Sequence, residues 1–145
     1  MSFPSITPIQ DTVSFRLARV CRAHRNLAAV MLDPLGLHPG QDLIMVELWV
    51  EEGLTQSRLA ERVGVDASTM TKALQRLERY GLVRRCQDAE DSRVSRVFLT
   101  DQGRALEPTI TAEFAGIEER TLAGLTADER ALLSSLLERM EETLT

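Results

Sequence analysis

Between Thr12 and Leu32 the positions Leu17, Val20, Cys21, His24, Leu27, Ala28 and Met31 recur at three- and four-residue spacing, which predicts a helix with one apolar stripe. The stretch DPLGLHPGQ ends it, because Pro34 and Pro39 cannot continue a helix and Gly36 and Gly40 favour turns. A second helix, roughly Gln41 to Glu51, is rich in apolar residues and is expected at the centre of the molecule, ending at Gly53. Ahead of both, residues 1–10, with Pro4 and Pro8, read as an extended arm carrying Phe3, Ile6 and Ile9.

Two short amphipathic helices follow, TQSRLAERVG and DASTMTKALQRLERYG. Thr55 and Asp66 each stand where a side-chain oxygen accepts from the free amides of a first turn. Gly64 falls between them, where a tight turn needs an unusual backbone angle, and Ala60 is small where two crossing helices must approach. The pair reads as a helix-turn-helix. LVRRC and VSRVFL have strand composition and flank a polar loop, which predicts a hairpin, and a hairpin directly after a helix-turn-helix makes it winged. Thr100 caps a long helix to about Leu122, bent near Pro108. TADE at 126–129 is a capping box for a last helix with Leu132, Leu133, Leu136, Leu137, Met140 and Leu144 on one face. The expected fold is therefore mainly α with a small β-hairpin wing, in one domain of 145 residues.

Charge sharpens this picture once it is read by region. The chain carries a net charge of -5, yet between Thr55 and Val97 nine Lys and Arg stand against six Asp and Glu. A locally basic middle in an acidic body suits a protein of which one module meets a polyanion. On the second helix of the pair, Met70, Ala73, Leu74 and Leu77 face inward, whereas Ser68, Thr69, Thr71, Lys72, Gln75, Arg76 and Arg79 share the other side. Short hydroxyls at the N-terminal end and longer donors beyond are what a recognition helix presents to base edges in a major groove. Arg79, Arg84 and Arg85 are expected at phosphates.

No stretch approaches the roughly 20 apolar residues that cross a bilayer, so a membrane role is not expected. Cys21 and Cys86 form no CxxC pair and lie near no histidine cluster, so neither a disulfide framework nor a metal site is signalled, and a reducing cytoplasm is the expected location. The only histidines, His24 and His38, accompany no nucleophile elbow, phosphate loop or metal-spaced cluster, so no enzymatic activity and no cofactor are expected.

GLTQSRLAERVGVDASTMTKALQRLERYGLVRR followed by DAEDSRVSRVFLTDQGRAL resembles the MarR family of bacterial transcriptional regulators, with the helix order fitting from about residue 12 onward. The Asp91-x-Arg93 pair, LTDQG and LERYGLVRR carry the likeness together. The resemblance implies a homodimer whose helical region comes from residues 1–34 and 101–145, around a DNA-binding lobe of residues 35–100. It implies a repressor on double-stranded DNA, at an inverted-repeat operator with half-site centres about 10 base pairs apart. It also implies that Arg93 enters the minor groove, with Asp91 supporting the wing through Arg84, Arg85 or Arg96; the last two also count among the expected DNA contacts. Where many relatives have a second arginine this chain has Ser92, and Asp88 and Glu90 add charge that is expected to repel phosphates.

A small aromatic or lipophilic effector is the further implication, with His24, Met31, His38 and Trp49 as expected lining. The alternative makes Met31 and Trp49 plain core and the histidines surface groups. Oxidant sensing through Cys21, with Arg19, Arg22 and Arg25 nearby to favour thiolate, stands against its reading as a small buried hydrophobe on the helix stripe. A winged-helix module that has lost DNA binding is the remaining alternative, and the acidic loop is its argument.

Overall fold

The computed structural model describes residues 8–145. Of the expected N-terminal arm, Phe3 and Ile6 lie outside the described residues, and Ile9 belongs to a single 3-10 turn, Ile9–Asp11, rather than to extended chain. Helix α1 (Val13–Leu32) starts where Thr12 accepts from the amide of Phe15, and α2 (Gln41–Val50) follows the Pro/Gly turn. Next come strand β1 (Leu54–Thr55), α3 (Gln56–Val63), α4 (Ala67–Arg79), β2 (Val83–Gln87) and β3 (Ser95–Leu99). Helices α5 (Asp101–Ala105), α6 (Glu107–Leu122) and α7 (Ala127–Leu144) complete the chain.

The wing has one strand more than the pattern predicts. Leu54 and Thr55 pair antiparallel with Val97 and Arg96, which makes a three-stranded sheet in the order β1-β3-β2. Two residues are too few to show a period, so this strand is visible only through its partner. In the long pairing Val83 opposes Leu99 and Arg85 opposes Val97, so these positions share the face turned to the helices.

The core is where the predicted inward faces meet. Leu59 of α3, Met70, Leu74 and Leu77 of α4, Leu48 and Met45 of α2 and Val97 of β3 are all fully buried. Each such side chain contributes roughly 1.5–3 kcal/mol over its exposed state. Gly64 adopts a left-handed φ of 78° at the end of α3, and its amide donates to the carbonyls of Ala60 and Glu61, which closes the turn into α4. Ala60 is buried beside it, as the crossing of α3 and α4 requires.

The expected bend near Pro108 is a break at Leu106, between α5 and α6. What holds α5 in place is a close approach between it and the segment leading into β2. Thr100 donates its hydroxyl proton to the Gly81 carbonyl and its amide to the Leu82 carbonyl, while its Oγ1 accepts from the Gly103 amide. A Cβ on Gly103 would stand 2.1 Å from the Leu82 carbonyl oxygen, so only glycine fits. Trp49 donates its indole N–H to the Gly103 carbonyl at 3.1 Å. The LTDQG motif is thus a helix cap joined to a backbone contact.

The outer helices bury less than their stripes predict. Of α1 only Ala28 and Leu32 are buried, and Cys21 is exposed, contrary to its reading as a small buried hydrophobe. The capping box of Thr126 and Glu129 is present, yet α7 buries no residue and leaves Leu132, Leu136, Leu137 and Leu144 exposed. No helix among the described residues is long and apolar enough to cross a membrane.

Gly103→Ala is expected to destabilise the fold by about 3 kcal/mol in urea unfolding, because the added methyl displaces backbone rather than a side-chain tip. Gly124→Ala, where a Cβ meets no atom within 4 Å, serves as the control and should leave the midpoint unchanged.

Candidate nucleic-acid interface

Helix α4 begins at Asp66, whose carboxylate accepts from the Thr69 amide at 2.7 Å. That bond holds the Asp66 carboxyl below the usual carboxylate range. Ser68, Thr69, Lys72, Gln75 and Arg79 are exposed along one side of α4, while Arg76 is half-buried. No ion pair among the described residues involves Lys72, Arg76 or Arg79, so these cations stand available to an external anion.

Thr71 is placed differently from its neighbours. It is half-buried, donates to the Ala67 carbonyl at 2.9 Å and accepts from Gln56 Nε2 at 2.7 Å. Its hydroxyl is spent on tying α4 to the start of α3 instead of facing outward.

Two of the arginines expected at DNA are likewise engaged inside the protein. Arg85 makes a two-pronged pair with Glu78, Nε to Oε1 at 2.7 Å and Nη2 to Oε2 at 3.1 Å, and reaches Gln56 at 3.5 Å. The pair lowers the Glu78 carboxyl and raises the Arg85 guanidinium relative to their ordinary values. Arg96 donates to Asp88 Oδ1 at 2.5 Å and to the Gly53 carbonyl at 2.8 Å. Both side chains brace the wing: Arg85 sits on the sheet face turned to the helices and Arg96 on the opposite face. Arg84 lies over the Phe98 ring, 4.7 Å from its centroid.

The wing tip corrects two further expectations. Asp91 pairs with none of Arg84, Arg85 and Arg96; its carboxylate accepts from Arg93 itself, from the backbone amide at 3.0 Å and from Nε and Nη2 at 3.1 Å each. Arg93 remains 89% exposed, so the pair orients the guanidinium without covering it. Asp88, expected as a free surface charge, is instead the anion that Arg96 meets, and this bond is the main reason its carboxyl is held below the ordinary range. Glu90 is exposed, and its carboxylate accepts no hydrogen bond among the described residues.

Behind α4 opens a cleft of about 900 Å³ between α1, the start of α2, α4 and α6. His24 and His38 line it, as expected. Met31 and Trp49 do not: Met31 packs against the core near Gly116, and the Trp49 indole is held by Gly103 on the α5 side. Thr69, Lys72, Gln75 and Arg76 line it as well, so the outward-facing helix and the cleft share a wall.

The pattern reading missed Asp42, which lines this cleft while only 4% exposed. It accepts from the Gly40 amide at 2.8 Å, but desolvation dominates and pushes its carboxyl above the ordinary value, with His24 opposing. The signal that would have found it is an acid placed directly before the apolar run Leu43–Val46 of a helix expected at the centre of the molecule.

Comparison with known proteins bears on the family and the fold. A model of the MarR family matches residues 37–95, which run from the turn before α2 through the helix-turn-helix, β2 and the wing loop to the first residue of β3. The chain is 33% identical to the PcaV transcriptional regulator of Streptomyces coelicolor, with a TM-score of 0.77 over 92% of this chain and 98% of that one. This chain belongs to the MarR family. It is an HTH-type DNA-binding transcriptional regulator with the MarR fold, and not an enzyme. It is 27% identical over 128 residues to the regulator YybA of Bacillus subtilis (strain 168), covering 88% of this chain and 85% of that protein. With TtmR of Methylorubrum extorquens (strain PA1) it shares 40% over 103 residues, 70% of this chain and only 52% of that regulator. A second PcaV structure, solved with its natural ligand, aligns at a TM-score of 0.82 and 27% identity over 98% of this chain and all of that one.

Because Asp42 is held protonated more readily in the fold than in the unfolded chain, its ionisation weakens the fold as pH rises through its folded pKa. Asp42→Asn is therefore expected to raise the urea midpoint at pH 7. The gain should shrink as the pH falls towards about 3.9, where the unfolded carboxyl also takes up its proton.

Proposed function

We propose that this MarR-family regulator binds an inverted-repeat operator as a homodimer and represses transcription until a small aromatic or lipophilic effector enters the cleft behind α4. The observation that carries the DNA part is an exposed donor face on α4 together with an exposed arginine at the wing tip. In this reading Ser68, Thr69 and Gln75 meet base edges in the major groove, since a glutamine amide pairs with adenine and short hydroxyls serve several bases. Lys72, Arg76 and Arg79 neutralise phosphates, and Arg93 enters the minor groove. Thr71, Arg85 and Arg96 act one step back, by holding α4 and the wing in place.

Residues 35–100 form the DNA-binding lobe in this reading, and residues 1–34 and 101–145 the dimerisation region. The exposed leucines of α7 and the exposed Val13 and Val20 of α1 support it, because apolar faces of that extent call for another apolar surface. A second copy of the chain supplies one and sets two α4 helices at two-fold symmetric positions.

The cleft suits an amphipathic ligand: Ala28, Ile44, Phe114 and Ile117 offer apolar wall, and His24, His38 and Arg76 offer polar groups. PcaV, which the chain resembles throughout, has been solved with a natural ligand. An effector that favours a dimer with a different spacing of the two α4 helices would release DNA through its differential affinity.

Fluorescence anisotropy with the chain's own promoter fragment tests the reading. Arg93→Ala should weaken binding about 5- to 100-fold. Affinity should fall steeply with added salt, and Lys72→Ala should flatten that dependence. Equal affinity for operator and random duplex, or an Arg93→Ala variant that binds like the parent, refutes the assignment. A panel of aromatic carboxylates and phenols, none of which shifts the titration, refutes the effector part.

Sedimentation at micromolar concentration should show a dimer, and Leu136→Asp combined with Leu137→Asp should yield monomers with at least tenfold weaker operator binding. A stable monomer in the parent protein would overturn the dimer.

A further inference from the structure

Three carboxylates crowd the wing loop, and only Asp91 has a part in the DNA reading above. Asp88 is the one around which the loop closes. Its Oδ2 accepts from the backbone amides of Glu90 and Asp91 at 3.1 Å each, and its own amide donates to the Val94 carbonyl at 2.8 Å. Its Oδ1 accepts from Arg96 Nε at 2.5 Å, and Arg96 in turn donates to the Gly53 carbonyl at 2.8 Å. Gly53 is anchored through its amide to the Val97 carbonyl at 2.9 Å. One carboxylate and one guanidinium therefore join the loop to the turn between α2 and β1.

Asp91 does something narrower. Its carboxylate bonds only to Arg93, two residues away, so it orients that side chain relative to the loop. It makes no link from the loop to the rest of the lobe. The side chains differ accordingly in exposure, 17% for Asp88 against 40% for Asp91.

We propose that Asp88 is the positioning residue of the wing: through Arg96 and Gly53 it sets where the loop, and with it Arg93, stands relative to α4. Asp88 thereby determines operator affinity without touching DNA. The proposal rests on the reading of Arg93 as a DNA contact. Mere repulsion of phosphates predicts the opposite sign, since removing a repelling charge tightens binding to any duplex. The charge of Asp88 is met by Arg96 in contact, whereas exposed Glu90 has no such partner among the described residues and is the carboxylate whose field reaches solvent.

The test is a double-mutant cycle between positions 88 and 93, read by anisotropy on the promoter fragment and on random duplex of equal length at one salt concentration. Asp88→Ala should weaken operator binding about tenfold. Adding Arg93→Ala to it should cost less than about twofold more, because a displaced arginine has little left to lose. Arg96→Met, which leaves Asp88 in place but removes its link to Gly53, should reproduce the loss. Asp88→Asn, which keeps an oxygen for the loop amides, should fall between parent and Asp88→Ala and guards against a variant that fails to fold.

Additive losses in the cycle, unchanged operator affinity in Asp88→Ala, or tighter binding to random duplex would each overturn the proposal while leaving Arg93 as a contact. An Arg93→Ala variant that binds like the parent removes the underlying reading, and the proposal with it.

Discussion

The contact between Gly103 and the Leu82 carbonyl is the constraint on which the arrangement of this molecule turns. At that point the chain leaves the sheet through β3, reverses into α5 and starts towards α6, and the backbone of the two segments must touch. Thr100 caps α5 and bonds to Gly81 and Leu82 at once, and Trp49 closes the joint from α2. Glu52 adds to it, accepting from the Leu99 amide and from Arg104. The winged lobe and α5 are therefore joined by short, directed hydrogen bonds rather than by a loose linker. Helix α6 starts only after the break at Leu106, beyond these bonds.

The arginines divide by how their charge is met. Arg85 and Arg96 each face a carboxylate at 2.7 Å or less and carry a second bond to the protein, so their cost of desolvation is offset internally. Arg93 has a carboxylate partner but stays in solvent, and Lys72 and Arg79 are exposed without an ion pair among the described residues. Such a division lets a chain of net charge -5 present a local cationic face: Glu78 and Asp88 are met by the arginines that brace the wing, which leaves Lys72 and Arg79 without an ion pair among the described residues.

Much of this was legible in the residues, and the reason is range. Thr55, Asp66, Thr100 and Thr126 act on amides three residues away, Gly64 needs its own left-handed angle, and the stripe of Met70, Leu74 and Leu77 follows from 3.6 residues per turn. Strand β1 was not legible, because two residues become a strand only when β3 pairs with them. The lining of the cleft was half legible: His24 and His38 lie on it, whereas Met31 and Trp49 point to other partners that no local pattern names. Cys21 and the leucines of α7 show the converse, apolar stripes that the single chain does not bury.

By itself, the sequence determined the order of helices, the turn between α3 and α4, the presence of a wing and the family, since all of these rest on spacing and on contacts within a few residues. Tertiary structure alone decided which arginine is tied into the lobe and which stays in solvent. Arg85 and Arg96 differ from Arg93 only through Glu78, Asp88 and Gly53, groups at sequence separations of 7, 8 and 43 residues. An identical side chain is drawn into the lobe or left in solvent according to whether folding brings a partner from outside its own loop to it, and that is a property of three-dimensional proximity.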